Sequence, residues 1–366
     1  MRRLIPWLLL VMSAPTLCAP VIFDNDMAID DWAALLYLLH HPNADIKAIT
    51  VASSGESRCQ PGLSNTASLL DLVPNTASDI AFSCGDSEPL DGYAVFPEPW
   101  RVDSDTLSGV PLKPSSRTPS AMHAADLIHH TLMQQTESTV LIATGPLTNI
   151  AQWIERYPAD IHKVERLVIM GGNLDVKGNI IVPGFTDGHP NTQAEWNIFV
   201  DPMSADLVFA SDLNIELVGL DVTNSVRVTS KVAADFKRQV STPAAQFWDD
   251  VLDKNDWFIE SGEYYFWDTL AALIAMYPEL CQGDFKQLKV RYELTQEPYL
   301  NTSDLTMSGT RWDGKPRQHL NAQSAGVLVP VKTGSMIKVC RTTDANYVFE
   351  NFRQTLNGQT PKSLSH

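Results

Sequence analysis

The chain has 366 residues, 44% of them hydrophobic and 19% charged, a globular composition that excludes a disordered, collagenous or coiled-coil protein. Forty-three acidic residues against 27 basic ones leave a formal net charge of −16, which argues against a nucleic-acid partner. The length suits two average domains or one large α/β sheet, and the chain-order reading below favours one domain over residues 20–366.

Arg2 and Arg3 precede an apolar run at 4–12, and small residues follow up to Ala19. This is the layout of a secretory signal, so residues 1–19 are expected to be removed and the protein exported to a periplasm or the exterior. The run is too short to stay as a membrane span, and no stable membrane anchor is expected. Cys59, Cys84, Cys281 and Cys340 remain, none of them in a C-x-x-C, which disfavours zinc and thioredoxin chemistry. An even number in an exported chain points to one or two disulfides, with three pairings open for two bonds and buried free thiols as the alternative.

Residues 21–23 read as a strand ending at Asp24, 29–39 as a well-buried helix, 46–53 as a strand, 63–72 as a helix and 80–84 as a strand. Residues 85–118, rich in Pro, Gly and Asp, read as irregular. A helix at 121–134, a strand at 139–144, a helix at 149–157 and strands at 166–170 and 215–220 follow, then mostly helix to Tyr277. The stretch from 285 to 339 reads as β-rich, with a closing helix at 346–356. Strands separated by helices predict a single open, mostly parallel, Rossmann-like sheet with helices on both faces, and ligands bind at the carboxyl ends of its strands.

Polar residues collect at those ends. Asp24, Asp26, Asp30 and Asp31 place four carboxylates within eight residues, between a strand and a helix. Such a cluster needs a cation or a hydrogen-bond network, and Ca²⁺ suits oxygen donors. Favouring the first helical turn would explain only Asp30 and Asp31. Singly, T-G-P-L-T-N at 144–149, M-G-G at 170–172, Glu195 with Asn197, and Trp267 with Asp268 each have ordinary explanations: a strand–helix corner, a turn, a surface pair and a helix cap. The G-x-x-x-x-G-K match at 309–315 is followed by Pro316 where Ser or Thr is needed, so phosphate binding is not expected there. The pairs His40–His41 and His129–His130 read as surface or helix-end residues.

In order, D-x-D-x-x-x-D-D, T-G-P-L-T-N-I-A, M-G-G, A-E-W-N-I-F-V-D-P and W-D resemble the nucleoside hydrolase family over about residues 21–277. The segments 96–101 and 175–179, and Trp267 where the inosine-uridine branch has a histidine, are similar to the purine-preferring (inosine-adenosine-guanosine) branch. The resemblance implies one Ca²⁺ held by Asp26, Asp31, the Thr144 carbonyl and Asp268. It further implies Asp26 as general base, Asp30, Glu56, Asn179, Glu195 and Asn197 against the ribose, and Trp100 and Trp267 on either face of the base. The implied partner is a small-molecule nucleoside in a salvage role, and a homo-oligomer stays open. Met27 and Ala28 stand where most members have Pro-Gly, and residues 188–193 lengthen a turn, so that His189 or Asn191 is expected near a 5′ substituent.

Cleaving an N-glycosidic bond builds oxocarbenium-like charge on the ribose, which fixed carboxylates stabilise. Indoles around the leaving base favour its protonated form. The competing readings are a non-catalytic nucleoside- or sugar-binding protein, a ribosyl hydrolase for a modified nucleoside, and a phosphohydrolase of the haloacid-dehalogenase type, whose later residues cannot be placed in order.

Overall fold

The computed structural model describes residues 19–73, 80–90, 96–293 and 323–361, with two short strands at 306–307 and 310–311. Residues 1–18 of the expected leader, and most of the 309–316 segment, lie outside the described residues. The strands are β1 (Ala19–Asn25), β2 (Ala44–Val51), β3 (Ala81–Cys84), β4 (Thr139–Ala143), β5 (Val164–Met170) and β6 (Ile215–Val218). After them come β7 (Gln282–Arg291), β8 (Thr306–Met307), β9 (Thr310–Arg311), β10 (Val327–Pro330) and β11 (Met336–Thr342).

Nine of these form one sheet in the order β10-β7-β11-β6-β5-β4-β1-β2-β3, and β8 pairs only with β9. Strands β3, β2, β1, β4, β5, β6 and β11 run parallel, whereas β7 runs against β11 and β10 against β7. Every residue of β4 is buried, as a parallel strand covered on both faces requires. In β1, Val21 and Phe23 enter the core under the helices Ile29–His40 and Trp267–Met276. Ile22, pointing the other way, packs with the helices Ala124–Gln134 and Thr148–Arg156.

The helix Ile29–His40 is buried almost all round, between the sheet and the helices Trp267–Met276 and Ala345–Leu356, so it carries no polar outer face. Within 85–118, read as irregular, the chain forms the helix Glu98–Asp105, half-exposed and mostly polar, which apolar periodicity does not reveal. Two disulfides resolve the open pairing: Cys59–Cys84 and Cys281–Cys340, with Cα atoms 5.6 and 4.9 Å apart. Among the described residues no helix is long and apolar enough to cross a membrane.

The run β3-β2-β1-β4-β5-β6 has the doubly wound order, in which successive crossovers leave β1 in opposite directions. The crevice this opens lies between the carboxyl ends of β1 and β4. It receives residues 24–31 from one side and 144–149 from the other.

Candidate active site

Across that crevice Thr144 ties the two strand ends together. Its N–H donates to the Asp24 carbonyl at 2.9 Å, and its hydroxyl donates to Asp31 Oδ1 at 2.6 Å. Asp31 Oδ2 accepts from the N–H groups of Asp26 (3.1 Å) and Ala28 (2.9 Å), so this carboxylate is fixed from both sides. The loop turns on Met27, whose φ of 59° is a left-handed value rare for a residue with a side chain. Asn25 Oδ1 accepts from Met27 N–H, and the Trp32 indole donates to the Met27 carbonyl at 2.7 Å.

Asp26 is buried between two glycines. A Cβ on Gly55 would lie 2.2 Å from its Oδ2, and one on Gly145 would lie 2.8 Å from its Cβ. Glu56 N–H donates to Asp26 Oδ2 at 3.0 Å, and Ser57 N–H to its carbonyl at 2.9 Å. Behind it Asp24 accepts from Thr50 (2.5 Å) and Asn149 (2.7 Å), and burial pushes its carboxyl up to about 7.

Asp268 comes from the helix Trp267–Met276, which Thr269 ties to the Asp30 carbonyl. It lies inside the first turn and does not cap the helix, and its Oδ1 is buried without a hydrogen-bond partner. Burial pushes Asp26 and Asp268 well above the carboxylate range, and neighbours raise them further, Asp31 for Asp26 and Asp30 for Asp268. Burial likewise raises Asp30, and brings Asp31 to about 7. Tyr264, fully buried, adds an apolar wall and feels the charges of Asp30 and Asp268.

Four buried carboxylates with one unsatisfied oxygen are a donor set for a hard dication, because added positive charge relieves both the desolvation and the mutual repulsion. Asp26, Asp31 and Asp268, close enough to feel one another's charge, and the Thr144 carbonyl have the chemistry to take such a cation. The grouping of Glu216 with Cys281 and Cys340 does not, since its sulfurs are joined to each other.

On the far side, Asn197 Nδ2 donates to the carbonyls of Thr144 (3.0 Å) and Met170 (3.3 Å), bridging the ends of β4 and β5. Glu195 caps the helix Trp196–Val200, accepting from the N–H groups of Asn197 (2.9 Å), Ile198 (3.2 Å) and Gly172 (2.9 Å). Both side chains are buried, so the surface-pair explanation does not hold. Asn179 accepts from Trp196 N–H, and its carbonyl accepts from the Trp196 indole at 3.0 Å. Glu56, raised well above the carboxylate range by burial and then Asp26, accepts from Ser104 at 2.7 Å.

Trp100 and Trp267 sit at the two ends of an aromatic arc. Trp100 meets Trp196 (5.4 Å between ring centroids) and Phe185 (6.0 Å), Phe185 meets Trp257 (6.3 Å), Trp257 meets Phe258 (5.4 Å), and Phe258 meets Trp267 (6.2 Å). His189 and Asn191 are buried and serve their own turn, Asn191 Oδ1 accepting from Gln193 and Ala194 N–H and its Nδ2 donating to the Ala325 carbonyl. His189 Nδ1 accepts from Asn191 N–H. The sequence did not point to Gly55, Gly145 or Tyr264. The turn around Gly145 was visible, but its closeness to Asp26 was not.

The family model for inosine-uridine preferring nucleoside hydrolases matches residues 21–350, further than the motifs reach. A pyrimidine-specific ribonucleoside hydrolase, RihA of Photobacterium profundum, is 33% identical over 235 residues, 64% of this chain and 70% of that protein. Among solved structures, the plant nucleoside hydrolase PpNRh1 superposes with a TM-score of 0.72 at 24% identity, over 93% of this chain and 99% of the other. A purine-preferring ribonucleoside hydrolase from Gardnerella vaginalis does so with a TM-score of 0.70 at 22% identity, over 93% and 98%.

Proposed function

The chain belongs to the nucleoside hydrolase family, and on that footing we propose that it is a Ca²⁺-dependent, purine-preferring ribonucleoside hydrolase acting outside the cytosol. The observation that carries the reading is the buried carboxylate cluster at the β1/β4 crevice, where Asp268 feels the charges of Asp30, Asp31 and Asp26 and the Thr144 hydroxyl donates to Asp31.

In the reaction a water oxygen bonds to C1′ while the bond to the base nitrogen breaks, its electron pair leaving with the base, which takes up a proton. In this reading Asp26 accepts the water's proton, and its fixed position between two glycines and the Glu56 N–H supports that role. Asp30 and Glu195 supply fixed negative charge to the ribose as it becomes cationic, and Asn179 and Asn197 orient its hydroxyls. Ca²⁺, when bound, adds Lewis acidity toward water and cancels the repulsion among the carboxylates. The role of Glu56 is the least direct, since its carboxylate is engaged by Ser104.

The indoles of Trp100 and Trp267 support a purine, whose two rings stack over more area and whose protonated form an electron-rich ring favours. A pyrimidine preference is the second reading, favoured by the pyrimidine-specific relatives at 33% and 34% identity. The two disulfides support an oxidising compartment and hence export, which fractionation of the producing cell would test.

The deciding assay is reducing-sugar release from inosine and from uridine, with Ca²⁺ and with chelator, beside Asp26→Asn. Calcium-dependent inosine cleavage that is lost in Asp26→Asn and weaker with uridine is the expected result. Faster cleavage of uridine turns the preference to pyrimidines. Binding without cleavage of either, in folded calcium-loaded protein, would sink the catalytic reading.

A further inference from the structure

We propose that Arg58 is a positioning residue for base recognition: anchored beside the Cys59–Cys84 disulfide, it fixes the helix Glu98–Asp105 and through it the ring of Trp100. The inference rests on the reading of Trp100 as a base-stacking residue.

The helix Glu98–Asp105 has eight residues, and only Arg101 and Ser104 are buried, so it has little of its own to hold it in place. Arg58 clamps both of its ends. Its guanidinium donates to both carboxylate oxygens of Glu98 in the first turn, at 2.6 and 2.7 Å, and to Asp105 in the last. The Arg58 N–H and the Ser57 hydroxyl also donate to Asp105 Oδ1, at 2.8 and 3.1 Å. Asn65 holds the carbonyls of Ser104 and Asp105 at 3.1 and 3.2 Å.

Arg58 is itself well founded. It is the N-cap residue of the helix Cys59–Leu70, whose first residue is bonded to Cys84 at the end of β3. The adjoining Glu56 and Ser57 N–H groups hold Asp26. One short segment therefore registers the candidate base on one side and the Trp100 helix on the other. A planar fork meets both oxygens of Glu98 while reaching Asp105, a bidentate geometry that a lysine, with its single nitrogen, cannot reproduce. The side chains of Arg58 and Glu98 are 37% and 44% exposed, so the pair adds little to global stability, and its effect falls on where Trp100 stands.

The test uses the full chain with Ca²⁺, comparing Arg58→Ala, Arg58→Lys, Glu98→Gln, Trp100→Ala and the Arg58→Ala/Trp100→Ala double variant. Inosine kinetics are read together with inhibition by hypoxanthine and by ribose. Arg58→Ala is expected to raise the inosine KM and the hypoxanthine inhibition constant about fivefold to tenfold, with kcat within about twofold and ribose inhibition unchanged. Glu98→Gln, at an exposed position that does not threaten folding, should move the same two constants in the same direction. Arg58→Lys should recover part of the loss, and the double variant should be no worse than Trp100→Ala alone. An unchanged KM in both Arg58→Ala and Glu98→Gln, an equal rise in the ribose constant, or full additivity with Trp100→Ala would overturn the proposal. Should Trp100→Ala itself leave the KM and the hypoxanthine constant unaltered, the base-stacking reading falls and the inference with it.

Discussion

Gly55 and Asp26 touch so closely that a β-carbon on the glycine would lie 2.3 Å from the Cβ of the aspartate and nearer still to its Oδ2. The aspartate cannot retreat, because Gly145 crowds its other side and its Oδ2 is held by Glu56 N–H at 3.0 Å. Gly55→Ala is therefore expected to displace Asp26, the proposed proton acceptor, by the better part of an ångström. The kcat/KM for the better nucleoside should fall about 100-fold in protein that still folds. Steady-state kinetics beside circular dichroism checks this, and an alanine variant of full activity would remove Asp26 from that role.

The asymmetry between what the sequence disclosed and what it hid has physical causes. Strands such as Thr139–Ala143, buried on both faces, read as unbroken apolar runs, and the polar residues that end them stand out. That is why residues 24–31 and 144–149 were legible, and why a parallel sheet places them together. Chain order says nothing of which cysteine faces which, so Cys59–Cys84 and Cys281–Cys340 had to come from the fold. His41, read as a surface or helix-end residue, does end its helix but is buried against Tyr37 and Tyr277.

Met27 marks where this chain departs from the Pro-Gly of the family pattern, and its backbone explains why the proline cannot be restored. A φ of 59° lies far from the value near −65° that proline imposes, and the Met27 N–H is needed by Asn25 Oδ1 at 3.1 Å. Met27→Pro is expected to cost about 3 kcal/mol or more and to disorder the approach to Asp31. Urea unfolding and kcat/KM together measure it. A proline variant as stable as the parent would mean that the loop re-forms in the family's conformation.

The unsatisfied Asp268 oxygen predicts how stability responds to metal. Calcium at about 100 times its dissociation constant should add about 2.7 kcal/mol, seen as a rise in Tm that chelator reverses. Asp268→Asn keeps the shape but removes one charge, so the apo protein should lose some internal repulsion while the calcium-induced rise shrinks. Calorimetric titration with Ca²⁺ and thermal scans with and without chelator give the two readouts. An undiminished calcium response in Asp268→Asn would exclude this residue from the metal site.

His41 gives the stability a dependence on pH whose sign can be worked out. Its Nδ1 accepts from Asn43 N–H at 3.3 Å, its Nε2 lies 3.1 Å from the Tyr277 hydroxyl, and burial lowers its pKa to about 4. The unfolded chain binds a proton below about 6.5, whereas the folded one does so only near 4. Stability from this group is therefore whole above about pH 6.5 and declines as the pH falls toward 4, by about 1.4 kcal/mol per unit and about 3 kcal/mol in all. His189, lowered to about 4 for the same reason, acts in the same direction. The raised carboxyls of Asp24 and Asp31 act oppositely, so the difference between parent and variant isolates the histidine. His41→Gln should lower stability at pH 7 yet flatten its decline between pH 6.5 and 4.5, measured by denaturant unfolding at several pH values, and an unaltered slope would show that His41 titrates alike in the folded and unfolded chains.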